Sequence, residues 1–515
     1  MEPQATKSWD WGRIGDGVAL LAYSSVVLWT LQYHEKWADE AQAWLIARDL
    51  DLGTIWFHEL RYEGSPGLWH TILWLAQRVF HAPYGALGYI GAGFAMAGAA
   101  VLIFLAPFPR LVRWPLAFTY VMIYQYAVIA RPYTLLPLLA FCAALLFKDR
   151  NHPERLTIVL VLLSLLSLHG TILAGCLGVA FLGEAYKKRQ EFDALVKRRY
   201  LTCSVALLAA FVFVAVIVKP SQDVEEIELK RELAQAPENV TRLFPTFGQK
   251  MTAVISGAFI DWLTLSVILL CLLTAWCVWR RKWLAFVLPV SALILFYGFI
   301  HGAAHHHGTV FVAALTGMWI AWPTVEERAS LGGNRRWLLL AGSALLLVLC
   351  SFNVWDACVV IKHEYAYPYC GAADAAKYMR SVGAERSPTF GLLFGVVAIQ
   401  AYFDHNVFVN NPHTYFHHGL PLTTTALDED ELNRIKPEYV VAYSNDPKMM
   451  MELGAPKLFA RGYELAHFSD GYYLYKQGVF EREVYFIFRR QSPDSMPALP
   501  SASLINSTGV NAGRQ

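Results

Sequence analysis

Apolar residues recur along the first 355 positions in runs close to the roughly 20 residues that a membrane-spanning helix needs. The remaining 160 positions mix polar and apolar residues in the manner of a water-facing domain. The pattern predicts about eleven spans, at 17–33, 84–106, 115–130, 133–147, 156–169, 171–186, 201–218, 252–279, 283–300, 309–323 and 337–355. We therefore expect a polytopic α-helical membrane domain over 1–355.

The part of the chain after the last predicted span has its own pattern. A helical stretch over Ala372–Met379 is followed by short β-rich runs at Thr389–Phe394 and Tyr439–Tyr443, which predicts an α/β domain over 356–490. Residues 491–515 are rich in Ser, Pro and Asn, so we expect a disordered tail. Spacing alone leaves open whether Cys358 and Cys370 form a disulfide.

Composition supports a membrane protein. The chain is 56% hydrophobic and 16% charged, with a mean hydropathy of +0.35, which is too apolar for one water-soluble domain. Its formal net charge is only +2 and it has no basic stretch interleaved with aromatics, so the sequence predicts no nucleic-acid partner.

Basic residues are distributed unevenly between the predicted loops. With the N-terminus inside, the cytoplasmic segments up to residue 336 contain 19 Lys and Arg in 59 residues, against 10 in about 94 residues of the outer segments. Cytoplasmic loops are enriched in Lys and Arg, so this topology is favoured. It predicts a multi-pass protein of the cell (inner) membrane, surrounded by membrane lipids, with the 356–490 domain extracytoplasmic.

Unusual polar residues gather in the predicted outer segments. The first outer loop, 34–83, contains an apolar stretch at 66–78 that is too short to span and is predicted to lie in the interface as a helix. Ionisable groups near the membrane are costly unless they line a wet cavity, which indicates a site on this side. The polar residues concerned are Asp39, Glu40, Arg61, Glu63, His70, Arg131, Tyr133, His169, His301, His305, His306 and His307.

Several of these residues also have a purely structural interpretation. Asp39 with Gln42 three positions later is compatible with a helix N-cap, and residue chemistry leaves cap and catalyst equally open. Arg131 before a proline is compatible with an interfacial anchor. The run His305–His307 is expected to be a solvated loop, because neighbouring side chains diverge by about 100° on a helix and rarely share one metal ion.

The first outer loop carries a family resemblance. Asp39 to Arg48, reading DEAQAWLIAR, and Tyr62 to His70, reading YEGSPGLWH, resemble the first loop of GT-C glycosyltransferases related to protein O-mannosyltransferases and the lipid A aminoarabinose transferase. Ala130 to Tyr133, reading ARPY, is similar to the Arg-x-Tyr found at the outer end of an early span in that family. The plan of many spans followed by an outer domain also agrees.

This resemblance implies a GT-C fold and an inverting transfer of a sugar from a polyprenyl-phosphate donor to an unknown acceptor at the outer face. Asp39 is implied as the general base. Arg131 is implied as the clamp on the donor phosphate, because a guanidinium matches phosphate oxygens in two places and stays charged. The residues expected to contact substrate are Arg131, Tyr133, Glu40, Glu63, Arg61, His70 and His169.

The chain departs from the family at one point and leaves one cofactor question open. Many relatives have Lys-Pro-Pro where this chain has Gly64-Ser65-Pro66, so Arg61 or Arg131 has to replace the lysine that contacts phosphate. No cofactor is assigned. A divalent cation remains open, although no cluster has convincing metal-ligand spacing.

Two other classes of protein share some of these features. A transporter or lipid-linked sugar flippase also explains many spans and buried charges, but the chain shows no inverted repeat or matching pair of Gly/Pro-broken spans. Its polar residues cluster on one side rather than at mid-membrane. An oligosaccharide polymerase or ligase shares the lipid-linked donor but lacks the Asp-Glu loop motif.

Overall fold

The computed structural model describes residues 11–220, 247–299, 304–330, 333–417, 429–478 and 480–491. The predicted tail after residue 491 and His301 lie outside these residues. Helices form the larger part of the described chain, and a small sheet follows them. The polytopic helical fold with a C-terminal α/β domain is therefore confirmed.

The helices of the first part are, in chain order, α1 Trp11–Thr30, α2 Ala38–Asp49, α3 Leu52–Thr54, α4 Leu60–Glu63, α5 Leu68–Arg78, α6 Leu87–Leu105, α7 Arg110–Ala117, α8 Leu136–Leu146, α9 Pro153–Ser164, α10 Leu168–Lys187, α11 Ala194–Ile217, α12 Phe247–Ala258, α13 Leu263–Trp279, α14 Trp283–Phe299, α15 Gly308–Ala321, α16 Val325–Ser330 and α17 Gly333–Ala366. The core of this part is a bundle in which α14 packs on α15 and α10, and α8 packs on α6 and α15.

Fewer helices than predicted are long enough to cross a membrane by themselves. By length and apolar composition, four described helices qualify, or five if α12 and α13, bent by 71° at a short break, form one span. Other predicted spans are shorter apolar helices, such as α14. The count of about eleven therefore exceeds the number of long helices in the described chain.

The predicted span at 115–130 is not a continuous helix. α7 ends at Ala117, and a π-helical turn over Val121–Gln125 leads into irregular chain. The apolar composition is explained by burial against protein, because every residue from Thr119 to Ala130 is buried. Irregular backbone is tolerated at membrane depth where protein surrounds it.

The C-terminal domain adds a small mixed sheet. Its strands are β1 Thr389–Leu392, β2 Tyr439–Ser444, β3 Tyr463–Leu474 and β4 Phe480–Arg490, and its helices are α18 Ala372–Val382, α19 Val397–Gln400, α20 Glu429–Ile435, α21 Pro447–Met449 and α22 Ala455–Phe459. The strand order is β1-β2-β4-β3, with β1 parallel to β2 and the other pairs antiparallel. The predicted domain boundary at 356 falls inside α17, which continues to Ala366.

A buried lysine attaches this domain to the helices. Lys476, two residues after the end of β3, is 6% exposed, and its ammonium donates to the Phe259 carbonyl and to Asn353 on α17, both at 3.0 Å. Asp261 and Asp356 lie 3.7 and 3.8 Å from the same ammonium. A buried ammonium needs such partners, so these contacts fix the sheet domain against one end of the bundle.

Candidate functional site

Asp39 lies in the first turn of α2, next to the sheet domain. The main-chain N–H of Trp37, which precedes the helix, is capped by Glu40 Oε2 at 3.2 Å. Asp39 is therefore not the N-cap, and that structural interpretation is wrong. A carboxylate in the first turn is still favoured by the helix dipole, which leaves the side chain of Asp39 available for chemistry.

Asp39 forms an ion pair with Arg131. Asp39 Oδ2 lies 2.9 Å from Arg131 Nη1, and the two side chains are 23% and 19% exposed. The geometry is that of two charges in contact without an aligned hydrogen bond, because Arg131 Nη1 is buried and has no hydrogen-bond acceptor among the described residues. A buried, unsatisfied guanidinium N–H is costly unless an anion completes its environment.

Aromatic rings hold Arg131 in place. The guanidinium carbon lies 5.6 Å from the ring centres of both Trp37 and Tyr133, within the range of cation–π attraction. Tyr133 stacks on Tyr126, and its hydroxyl is hydrogen-bonded to His169 Nδ1 at 3.1 Å. Asp39, Arg131, Tyr133 and His169 therefore form one continuous chain of contacts. The structure brings these four predicted site residues together.

Glu40 occupies a different environment from its neighbour. Its carboxylate is fully buried and accepts from the main-chain N–H of Ala130 at 2.7 Å and from His34 Nε2 at 3.0 Å. The other ring nitrogen of His34 contacts Glu364 Oε1 at 2.8 Å, and Tyr124 donates to Glu364 Oε2 at 2.5 Å. Protein groups therefore contact both oxygens of Glu40, and its expected contact with a sugar stays a prediction.

The hydrogen-bonded network of His34, Glu40 and Glu364 favours the charged forms of His34 and Glu40. Burial opposes the charge on His34, but the two carboxylates outweigh it and raise the pKa of His34 to about 10. Burial likewise opposes ionisation of Glu40, yet the adjacent His34 holds the pKa of Glu40 below its usual value. A buried imidazolium between two carboxylates therefore joins the first loop to the end of α17.

Three predicted contact residues lie away from this centre. Glu63 accepts from Gln42 on α2 at 2.9 Å, and Arg61 on α4 is exposed. His70 on α5 is 2% exposed, and neither ring nitrogen has a hydrogen-bond partner among the described residues. Burial lowers the pKa of His70, which keeps the ring neutral. The structure shows no contact between Arg61 or His70 and the Asp39–Arg131 pair.

The local backbone conformation explains the glycine at position 64. Gly64 ends α4 in the left-handed region, with φ of 58°. Glycine adopts this conformation without the steric penalty that a lysine would incur. The predicted helix at 66–78 is present as α5, but Trp69 is fully buried rather than directed outward.

Sequence analysis missed several residues around the site. His306 lies 5.0 Å from His169 and 5.6 Å from Tyr133 between ring centres, and His307 is 7% exposed, so the expectation of solvated histidines is wrong for His307. From the sheet domain, Tyr475 lies close enough to the site for the charges of Asp39 and Arg131 to influence its ionisation. Only the run of histidines gave a signal in the sequence, since the sheet domain's contribution depends on distant chain segments.

The charge of Asp39 also influences the pKa of a carboxyl group in the sheet domain, that of Glu483. Glu483 on β4 is 2% exposed, and burial, with a smaller contribution from the charge of Asp39, raises its pKa to about 8. Concerning metals, no group of three or more His, Cys, Asp or Glu residues in the described ranges is placed to hold an ion. The site chemistry visible here is one carboxylate against one guanidinium.

Comparison with known proteins gives only remote similarity. No protein-family model matches the chain, and no curated protein matches it. Two solved structures are similar along most of their length, both of ArnT from Cupriavidus metallidurans. The apo structure has 14% identity and a TM-score of 0.45 over 92% of this chain and 98% of that chain. The structure bound to undecaprenyl phosphate has 13% identity and a TM-score of 0.44 over 94% and 99%.

Proposed function

We propose that this protein is an inverting glycosyltransferase of the GT-C type that moves a sugar from a polyprenyl-phosphate carrier to an acceptor at the extracytoplasmic face. The observation that carries the proposal is the Asp39–Arg131 pair, in which a partly exposed carboxylate lies 2.9 Å from a partly exposed guanidinium. Undecaprenyl phosphate, bound in one similar structure, is a ligand of the proposed class, although that likeness is too remote to support the argument.

The proposed reaction needs one base and one cation. The acceptor oxygen attacks the anomeric carbon, its proton passes to Asp39, and the bond between that carbon and the phosphate oxygen breaks. Arg131 binds the phosphate and neutralises the charge that develops on the leaving group. Donor binding would draw Arg131 away from Asp39 and so free the base. A general-base step of this kind contributes typically 10²- to 10⁴-fold.

Other groups would orient the reactants. The rings of Trp37 and Tyr133 fix the plane of the guanidinium, and the His169 hydrogen bond fixes Tyr133. Glu63, on the neighbouring segment, remains the candidate for a sugar hydroxyl and the next candidate for the base. The proposed step uses only these side chains and names no particular sugar, acceptor or divalent cation.

The test is the substitution Asp39→Asn in purified, lipid-reconstituted protein supplied with lipid-linked sugars from the native membrane. Release of free polyprenyl phosphate is measured by mass spectrometry, because a transferase releases it and a flippase leaves the donor intact. Asn keeps the shape of the side chain and removes the proton acceptor. We expect normal folding and release slowed roughly 10²-fold or more.

The matched control is Asp49→Asn at the other end of the same helix. Asp49 also pairs with an arginine, with Asp49 Oδ1 2.6 Å from Arg48 Nε. The control should keep wild-type release. Release by Asp39→Asn within a few-fold of wild type would refute Asp39 as the base and move the assignment to Glu63, whereas no release by the wild type would refute the transferase itself.

A further inference from the structure

A cavity lies at the opposite end of the helix bundle from Asp39. It has a volume of about 560 Å³ and is formed where α6, α8 and α15 end and α7 and α16 begin. α6 approaches Ala130 at Gly91, and from there to Leu105, which lines the cavity, the helix rises about 21 Å. The cavity is therefore separate from the proposed catalytic site.

The lining of this cavity is rich in positive charge. Four cationic side chains, Arg110, Arg113, Lys148 and Arg328, line it together with one acidic side chain, Glu326. The two arginines of α7 share a single buried carboxylate, Asp16, at 3.3 Å from Arg110 and 3.1 Å from Arg113. The charge of Glu327 also acts on Lys148, so these four cations have three carboxylates nearby and positive charge is in excess.

The hydrogen bonds of these cations leave donors available for an anion. Lys148 donates to the Trp322 carbonyl at 3.0 Å, and Arg328 Nε donates to the Thr324 carbonyl at 3.3 Å. Neither contact neutralises a charge. Arg113 is 9% exposed, and its Nε has no hydrogen-bond partner among the described residues. A buried guanidinium donor of this kind is satisfied when a phosphate or carboxylate oxygen accepts from it.

Apolar side chains at the rim indicate what carries the anion. Leu105 and Leu145 line the cavity and are 51% and 44% exposed, so they face outward from the ends of α6 and α8. Trp319 and Phe108 form part of the interior. A free inorganic ion would make no favourable contact with this apolar rim, whereas acyl chains would pack against it. Basic pockets between spanning helices bind phosphorylated lipid headgroups on this principle.

We propose that this cavity binds the phosphate of an anionic phospholipid headgroup, with Arg113 and Lys148 contacting the phosphate oxygens and the Leu105–Leu145 rim contacting the acyl chains. The site goes beyond the proposed transferase activity, because it lies at the other end of the bundle and shares no residue with it. Arg328 closes the cavity from α16, and Asp16 holds Arg110 and Arg113 in place.

The test uses the purified full-length protein in detergent, titrated with short-chain phosphatidylglycerol and followed by native mass spectrometry. The double substitution Lys148→Gln/Arg328→Gln removes two charges that form no buried ion pair, so folding should survive, as a thermal melt will verify. The matched control, Lys187→Gln/Lys188→Gln, removes two charges from exposed positions at the end of α10. Diacylglycerol with the same chains and inorganic phosphate are the ligand controls.

We expect one tightly bound phosphatidylglycerol, with affinity reduced tenfold or more in the cavity variant and less than twofold in the control variant. Inorganic phosphate should compete for the same site, and its affinity should fall in the cavity variant. Tighter binding of phosphatidylglycerol than of inorganic phosphate supports the lipid as the ligand, and equal or weaker binding of the lipid contradicts it. Equal losses in both double variants would show that surface charge alone attracts lipid. That result, or diacylglycerol binding as well as phosphatidylglycerol, overturns the proposal.

Discussion

We expect Glu40→Gln to lower the stability of the fold rather than to remove a catalytic group. Glutamine has the shape of glutamate, but its NH2 group must face either the Ala130 N–H or the His34 side of the carboxylate. One buried donor is then left without an acceptor, which costs about 1–3 kcal/mol. His34 also loses one of its two buried carboxylates.

The magnitude follows from burial. Removing one partner of a buried charged pair costs about 3–5 kcal/mol, and Glu40 is 0% exposed and His34 is 7% exposed. At about 2 °C per kcal/mol for a large domain, we expect the Tm in detergent to fall by about 6–10 °C. The control is Glu154→Gln, because Glu154 pairs with His152 at 3.1 Å but both side chains are more than 40% exposed. Such surface pairs contribute about 1 kcal/mol or less.

The loss should depend on pH with a defined sign. The pKa of His34 is raised to about 10 in the folded protein, so its stabilisation is full below its unfolded value and declines as pH rises towards 10. The pKa of Glu40 is lowered, so its contribution is present throughout this range. The Tm difference between wild type and Glu40→Gln should be larger at pH 6 than at pH 9. A Tm within 2 °C of wild type at pH 6 would refute this account of the network.

The remaining predictions concern donor use, the sheet domain and topology. Arg131→Lys keeps the charge but loses the planar fork, so kcat/KM for the lipid donor should fall about tenfold, and about 10²- to 10³-fold for Arg131→Ala; equal wild-type rates would make Arg131 an anchor. The raised pKa of Glu483, about 8, means that stability is lost as pH rises, so Glu483→Gln should raise the Tm at pH 9 and have little effect near pH 5. On intact cells, an impermeant thiol reagent should label Asp430→Cys and should not label Lys188→Cys. The reverse result would contradict the predicted topology.

Local sequence patterns predicted part of the site because its pieces are local. The helix after Asp39 and the helix at 66–78 follow from apolar periodicity, and the Arg131–Tyr133 motif is contiguous. Their proximity depended on the resemblance, since no periodicity places residue 131 beside residue 39. Of the two interpretations left open for Asp39, the cap was wrong, because the N-cap is Trp37 and its main-chain N–H donates to Glu40.

Non-local contacts explain what the sequence could not show. Glu364 lies 330 positions after His34, and the tyrosines and Glu483 of the sheet domain approach the site only after that domain has docked. The segment 115–130 has the composition of a span because it is buried in protein rather than lipid, and composition alone does not distinguish the two environments.

Asp39 and Glu40 show how neighbouring carboxylates take different roles. Consecutive residues on a helix point about 100° apart, so the side chain of Asp39 is partly exposed while that of Glu40 faces the interior. Glu40 is fully buried, and its charge is compensated by His34 and by two main-chain donors. One of those donors belongs to Ala130, so Glu40 positions the chain that carries Arg131. Asp39 contacts that same arginine from the open side, where a bound phosphate could replace it. The two adjacent carboxylates therefore have different surroundings, with Glu40 held by protein groups and Asp39, the proposed base, partly exposed beside Arg131.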